Sequence, residues 1–324
     1  MRHPERASAI RPILLDNACA VDAERLLSWL SVRHTRRGIF PTGARRIPRF
    51  VLAGGPFSQP ALELGALSLF EVGPASIKKR WLRGGYPEAF CKSDDTAAFG
   101  WLDGYAADLA YGALGDWGLP REPVLITGLL QAIAANNGRA FNAHAESRAL
   151  GVSRPTIVRY IAMLSAAGIV MSVTALVPAT HRGVSRVIKS PALYIRDSGL
   201  LHSLLGIHSA DELALRPGVA ARSWTGFVVE QSRGQLPADV SLHRFASADG
   251  AALDMVVVKD GEPIIIAVAR RHRPASVERS ISYAAKALAP GCQARYIVVP
   301  DEGERVLPGG FIAIGAGSFL ERLA

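Results

Sequence analysis

Residues 141–173 read FNAHAESRALGVSRPTIVRYIAMLSAAGIVMSV. Gly151 supplies a tight turn, and Ser153 is placed to cap the helix that follows. Pro155 falls in the first turn of that helix, where backbone N–H groups have no partner within the helix. Ile157, Ile161 and Leu164 recur at helical spacing and form one apolar face. Arg154, Thr156 and Arg159 lie off that face, free to meet a partner. Gly168 closes the helix, and residues 169–173 run apolar like a strand. The pattern predicts a helix-turn-helix followed by a strand, with His181-Arg182-Gly183 as a hairpin tip or wing before a short strand at 193–195. A winged helix over 139–195 is the shape expected. Such units enter the DNA major groove, and they also serve as packing modules and protein-docking surfaces.

Charge is concentrated around this stretch. The net charge of +9 is distributed unevenly along the chain. Residues 1–50 hold ten Lys/Arg against four Asp/Glu, and residues 139–200 hold eight against two, so each carries +6. Residues 51–138 hold six against nine, and residues 201–324 thirteen against thirteen. A localised basic face suits a phosphate backbone, because counterion release drives that binding. An Arg-rich composition set by a GC-rich coding sequence would give the same count.

At 324 residues, with 49% hydrophobic and 20% charged residues, the chain has a globular composition and room for two or three domains. No apolar run reaches eighteen residues, and the N-terminus MRHPERASAI lacks a secretory apolar core. Cys19, Cys91 and Cys292 form neither a disulfide framework nor a metal-ligand spacing, so a reduced cytoplasm is the expected location.

The flanks divide into two further regions. Residues 11–16, RPILLD, predict a strand, followed by a helix at 20–32, a basic Arg-rich loop and a second strand at 49–53. WLRGGYPEAF, residues 81–90, reads as a turn-rich junction before helices at 96–109 and 122–135, the second ended by Asn136-Asn137-Gly138. A short helix is expected at 198–205. The last third reads as a separate α/β unit. It has a helix at 223–233, strands at 242–245, 253–259 and 264–270, a helix at 276–288, and strands at 295–299 and 311–314. Asp260-Gly261-Glu262-Pro263 is the hairpin joining the second and third of these strands.

WLRGGYPEAF, GVSRPTIVRYIAML, KSPALYIRDSGLLHSLLG and SWTGFVVEQ occur here in that order. Together they resemble a widespread prokaryotic ATPase family. Its members join an N-terminal AAA-type domain to a winged helix and a C-terminal domain of unknown function that resembles the PD-(D/E)xK nuclease fold. The resemblance implies an α/β multi-domain chain. Residues 1–80 would be a partial AAA-type segment, 81–206 a helical region with the winged helix, and 207–324 a nuclease-like α/β domain.

Each chemistry implied by the family meets a loss. ATP hydrolysis needs GxxxxGK[ST], and no such string occurs. The family's magnesium-binding strand end aligns with Leu14-Leu15-Asp16-Asn17. Asp16 remains as a nucleotide-binding remnant or an ordinary strand-end aspartate, while Asn17 cannot act as a general base. The phosphate loop is expected to be missing by truncation or frameshift, not mutated. In the nuclease-like domain Asp254 keeps the first carboxylate position, but the family's IEVK becomes Ile266-Ala267-Val268-Ala269. Thr225 stands where a helical Glu is common. One carboxylate does not hold a catalytic magnesium, which makes Asp254 a satisfied polar group.

Eight histidines show no HxxxH or HxH spacing, and no nucleophile elbow is present. The expectation is a non-catalytic cytoplasmic protein with no metal or cofactor of its own, binding double-stranded DNA or a protein partner. Arg154, Thr156 and Arg159 would approach base edges, and Arg182, Arg186 and Lys189 on the wing would contact phosphates. An ATPase-family protein that obtains its phosphate loop from elsewhere is the alternative.

Overall fold

The computed structural model describes residues 13–15, 39–41, 66–115, 118–177, 186–237, 239–270, 275–288, 295–300, 303–307 and 310–323. The architecture mixes helix and sheet and divides into two compact units, residues 1–65 and 66–324. In the first unit β1 (Ile13–Leu15) pairs in parallel with β2 (Ile39–Pro41), Ile13 opposite Ile39. β2 falls within the stretch expected as a basic loop. Its short apolar run between Gly38 and Pro41 is enough to add an edge, although the surrounding arginines mask it in sequence. The expected helix at 20–32, the strand at 49–53 and Asp16 lie outside the described residues.

The second unit opens with helices. α1 (Leu69–Val72) begins at a reciprocal capping box between Ser68 and Glu71. A 3₁₀ turn at Pro74–Ser76 leads into α2 (Ile77–Arg83), and α3 (Pro87–Phe90) follows after only three residues. The expected turn-rich junction at 81–90 is therefore mostly helical. Gly84, at φ +76°, interrupts the chain briefly, and Pro87 restarts it because its fixed φ suits a first helical turn. α4 (Asp95–Asp108) starts where the Asp94 carboxylate accepts the Ala97 N–H at 2.8 Å, and it continues as a π-turn through Leu109–Ala113. α5 (Pro123–Ala135) buries Ile126, Leu129, Leu130 and Ile133.

Two short helices follow, α6 (Ala143–Ala149) and α7 (Arg154–Ala166), and then two strands, β3 (Val170–Val173) and β4 (Ala192–Ile195). β3 and β4 pair antiparallel, Val170 opposite Ile195, and Ala140 adds a single antiparallel bridge to Ala192. α8 (Ser198–Leu204), α9 (Ala210–Ala214) and α10 (Pro217–Gln235) lead into the last sheet. α10 is longer than expected, since its first turns bury little and leave no apolar period to read.

That sheet consists of β5 (Ser241–Ala246), β6 (Ala252–Lys259), β7 (Glu262–Val268), β8 (Arg295–Val299), β9 (Glu304–Leu307) and β10 (Phe311–Gly315), in the order β5-β6-β7-β8-β10-β9. β6 and β7 form a hairpin whose turn residues Asp260 and Gly261 both have positive φ, at 52° and 80°. α11 (Ala275–Leu288) crosses between the parallel strands β7 and β8, and α12 (Ala316–Leu323) ends the described chain. One face of the sheet packs Met255, Val257 and Ile266 against Trp224 and Phe227 of α10 and Phe319 of α12. The other face packs Val256, Ile265 and Ile297 against Ile281 and Ala284 of α11. Burying each of these large side chains contributes about 1.5–3 kcal/mol. β9 and α12 were not expected, since each is short and lies among glycines.

Candidate nucleic-acid interface

The α6–α7 turn follows from local chemistry. Gly151 takes φ +68°, where a Cβ would be strained. The Ser153 hydroxyl then accepts the Thr156 N–H at 3.2 Å and lies 2.8 Å from the Thr156 hydroxyl. Thr156, expected to be free for a partner, is thus occupied in starting its own helix. The buried stripe of α7 is Ile157, Tyr160 and Leu164, followed by Ala167, and Ile161 is only half-buried. Tyr160 takes the place expected for Ile161 because helical spacing allows either residue, and the packing of neighbouring elements selects one.

Arg154 and Arg159 are exposed, but five residues at about 100° each set them about 140° apart around the helix. Pro155, Val158, Ala162 and Ala166 form the exposed strip between them, with Val158 51% exposed. The Arg159 guanidinium rests 5.6 Å from the centre of the Tyr160 ring, a cation–π contact that also orients it.

The described ends of the segment between β3 and β4 are tied to the last sheet. Both lie along β5. Arg244 donates its N–H to Thr174 O at 2.9 Å, and Leu176 donates to Arg244 O at 2.7 Å. On the returning side Ile188 donates to Ala246 O, and Ala248 to Arg186 O, both at 2.9 Å. Val187 is buried against Phe245 and Leu253. The edge of β5 would otherwise present unpaired backbone groups, and these segments cover it. Arg186 and Lys189 lie on the returning end of that segment, beside the sheet, and both side chains are exposed. Arg182 lies outside the described residues.

Taken together, Arg139, Arg148, Arg154, Arg159, Arg186 and Lys189 are exposed in this region. Among the described residues 139–195 the single acid is Glu146.

Asp254 lies in a different environment. The β5–β6 register shifts between His243 and Phe245, so that Asp254 and Met255 together oppose Arg244 in a β-bulge. Asp254 keeps some exposure, yet the protein around it is dense enough for burial to push its carboxyl up to about 6, against the pull of Arg244. Arg244 donates Nη1 to Ser190 O at 3.0 Å, and the buried Tyr194 hydroxyl, which has no hydrogen-bond partner, is close enough to feel the charges of both. Asp254 is thus a carboxylate whose charge burial disfavours, near one guanidinium and with a backbone hydrogen bond of its own. Ala267 and Ala269 pack on the opposite face, against the α11 side. Thr225 turns its hydroxyl back onto Ala221 O at 3.1 Å. Among the described residues no three His, Cys, Asp or Glu side chains cluster as metal ligands would.

A third polar cluster joins the helices. Asp197 accepts the Gly85 N–H at 2.7 Å and the Leu200 N–H at 2.9 Å, with Arg80 Nη1 at 3.9 Å. Arg80 Nη2 lies 3.5 Å from Glu230, whose carboxyl burial pushes upward. Added Cβ atoms at Gly84, Gly85 and Gly199 would strike Asp197, the Arg80 guanidinium and the Arg83 carbonyl. Close approach explains these glycines. Sequence alone missed the Arg80–Glu230 contact and the Tyr194–Arg244–Asp254 grouping, because each joins residues distant in the chain.

A family profile described as a domain of unknown function (DUF8612) matches residues 74–211, the helical part and the β3–β4 pair. Two curated mycobacterial proteins are similar, both described as uncharacterized: Rv2008c of Mycobacterium tuberculosis and Mb2031c of Mycobacterium bovis. Each is 32% identical over 259 residues, covering 80% of this chain and 57% of the relative. The chain thus spans a little over half the length of these relatives. No solved structure matches it. Among the described residues no helix is long and apolar enough to cross a membrane.

Proposed function

We propose that this chain is a non-catalytic, duplex-DNA-binding relative of the prokaryotic AAA-type proteins, acting through a winged helix. The order of α5, the Ala140 bridge, α6, α7 and the β3–β4 pair supports that shape. The observation that carries the function is the charge imbalance. Six exposed cations face one carboxylate across the described residues 139–195. Phosphate binding draws its free energy from releasing counterions, and such a surface supplies it.

Base reading contributes little here. Hydrogen-bonding side chains are needed to distinguish base edges. The exposed strip of α7 has Pro155, Val158, Ala162 and Ala166, while Thr156 is held in the cap. Arg154 and Arg159 flank that strip and reach phosphates on either side of a groove. The result is binding with weak sequence preference.

The nuclease-like resemblance is supported by the mixed strand order and by Asp254 on β6. Ala267 and Ala269, which the resemblance aligns with the carboxylate and the amine of that chemistry, carry methyl groups and pack on the face away from Asp254, so the domain is read as a degenerate scaffold. The same strip of small residues favours a second reading, in which α7 docks a protein partner, because Val158 is 51% exposed with Ala162 and Ala166 beside it.

Fluorescence anisotropy with duplex DNA, titrated between about 50 and 200 mM salt, separates the two. DNA binding predicts a steep loss of affinity with salt, and a uniform weakening across sequences when Arg154 and Arg159 become Ala. Affinity independent of both salt and these arginines would sink it.

A further inference from the structure

Residues 186–190 carry two exposed cations, Arg186 and Lys189, on a backbone held at several points. The Arg186 carbonyl accepts the Ala248 N–H at 2.9 Å, and the Ile188 N–H donates to Ala246 O at 2.9 Å. Val187, 4% exposed, packs against Phe245 and Leu253 and bridges antiparallel to Ser247. The Ser190 carbonyl then accepts Nη1 of Arg244 at 3.0 Å. One residue further, the Pro191 carbonyl accepts the Phe141 N–H at 3.2 Å, just before α6.

Covering the edge of β5 takes backbone pairing, which the bonds to Ala246 and Ala248 supply. The Arg244 side chain adds something that this covering does not require. It is 7% exposed, and a buried guanidinium is costly unless its donors are used. Burial accordingly pulls it below its ordinary range. Its Nη1 reaches past the last backbone pairing at Ile188 to the residue that follows Lys189. There the chain leaves the sheet and passes to the helices.

Long cationic side chains lose freedom when they bind, and a backbone already fixed lowers that cost. Phosphate contacts also set orientation on a duplex, so the place from which a cation starts matters.

We propose that Arg244 is a positioning residue for phosphate contact. Without touching the duplex, it fixes Ser190 so that Arg186 and Lys189 meet phosphates from a rigid edge of the last sheet. The sheet-bearing part then takes part in binding. This rests on the DNA-binding reading above.

The test compares the full chain with Arg244→Met, Ile188→Pro and the double variant Arg186→Ala/Lys189→Ala. Salt-titrated anisotropy on duplex DNA and amide hydrogen exchange are the readouts. Loss of both cations is expected to lower the salt slope by about two. Arg244→Met should weaken duplex binding several-fold and speed exchange at the Ile188 amide. Ile188→Pro removes one backbone pin and leaves Arg244 in place. It should weaken binding in the same way, and it serves if Arg244→Met does not fold. Added to the double variant, neither change should weaken binding further, because positioning acts only through Arg186 and Lys189. A merely structural arginine would weaken binding in both backgrounds, which overturns the role. Wild-type affinity in Arg244→Met and Ile188→Pro overturns it too, as does a wild-type salt slope in the double variant. Those results leave the DNA reading intact. Absence of salt-dependent duplex binding by the wild type overturns the DNA reading and the positioning role together.

Discussion

The Ser223 hydroxyl donates to His202 Nε2 at 2.6 Å while accepting the Trp81 indole N–H at 2.9 Å. His202 is 0% exposed, and its Nδ1 donates to Leu82 O at 2.9 Å. The relay joins α2, α8 and α10 and uses the imidazole in its neutral form. It is a structural linkage, sealed from any substrate.

This linkage predicts acid sensitivity. Burial lowers the His202 pKa from 6.5 to about 4. A folded value below the unfolded one means the contribution is complete above about 6.5 and is lost as pH falls toward 4. At about 1.4 kcal/mol per unit, roughly 3 kcal/mol disappears across that window. Urea denaturation at several pH values, compared with His202→Gln, isolates it. Equal pH slopes in the two proteins would refute the assignment.

Asp254 predicts the opposite sign. Its folded pKa is raised from 3.8 to about 6, so the folding cost is absent below the unfolded value and fully present above the folded one. Asp254→Asn should stabilise the protein by about 1–2 kcal/mol at pH 8, discounted for residual exposure, and by almost nothing at pH 4. Denaturation curves at the two pH values measure the difference. A loss of stability at pH 8 would mean that the Arg244 pairing outweighs desolvation.

Two glycine substitutions should diverge. A Cβ at Gly199 would stand 2.1 Å from the Arg83 carbonyl oxygen, a backbone atom with no freedom to retreat. Gly199→Ala is expected to cost more than about 3 kcal/mol, or to prevent folding. Gly100 is in α4 with nothing within 4 Å of an added Cβ, so Gly100→Ala should gain about 0.5–1 kcal/mol. Thermal melts of both variants decide the matter.

On α7, Leu164 is fully buried while Val158 is 51% exposed. Leu164→Ala should cost about 2–5 kcal/mol, and Val158→Ala less than about 0.5 kcal/mol. Similar losses at both positions would mean that the exposed strip is covered in solution.

Legibility varied with the range of the forces involved. The turns at Gly151 and Gly168, the Ser153 cap and the Asp260-Gly261 hairpin were readable because each depends on neighbouring residues. α2 and α3 were missed because Gly84, Gly85 and Pro87 suggest a loop. Gly84 and Gly85 are glycines because Asp197 and Arg80 press against them. Thr156 was misread because its hydroxyl had a local alternative that the charge pattern did not reveal.

Residues 141–173 by themselves determined two helices, a turn and a strand, through capping, steric and periodic preferences that act within a few residues. Tertiary structure alone decided what surrounds them. It set the roots of the β3–β4 connection against β5, placed Arg244 across a bulge from Asp254, and brought Asn137 against the Arg222 carbonyl. Those pairings join segments tens of residues apart, so burial and the need to satisfy backbone groups select them, and no local pattern records either constraint.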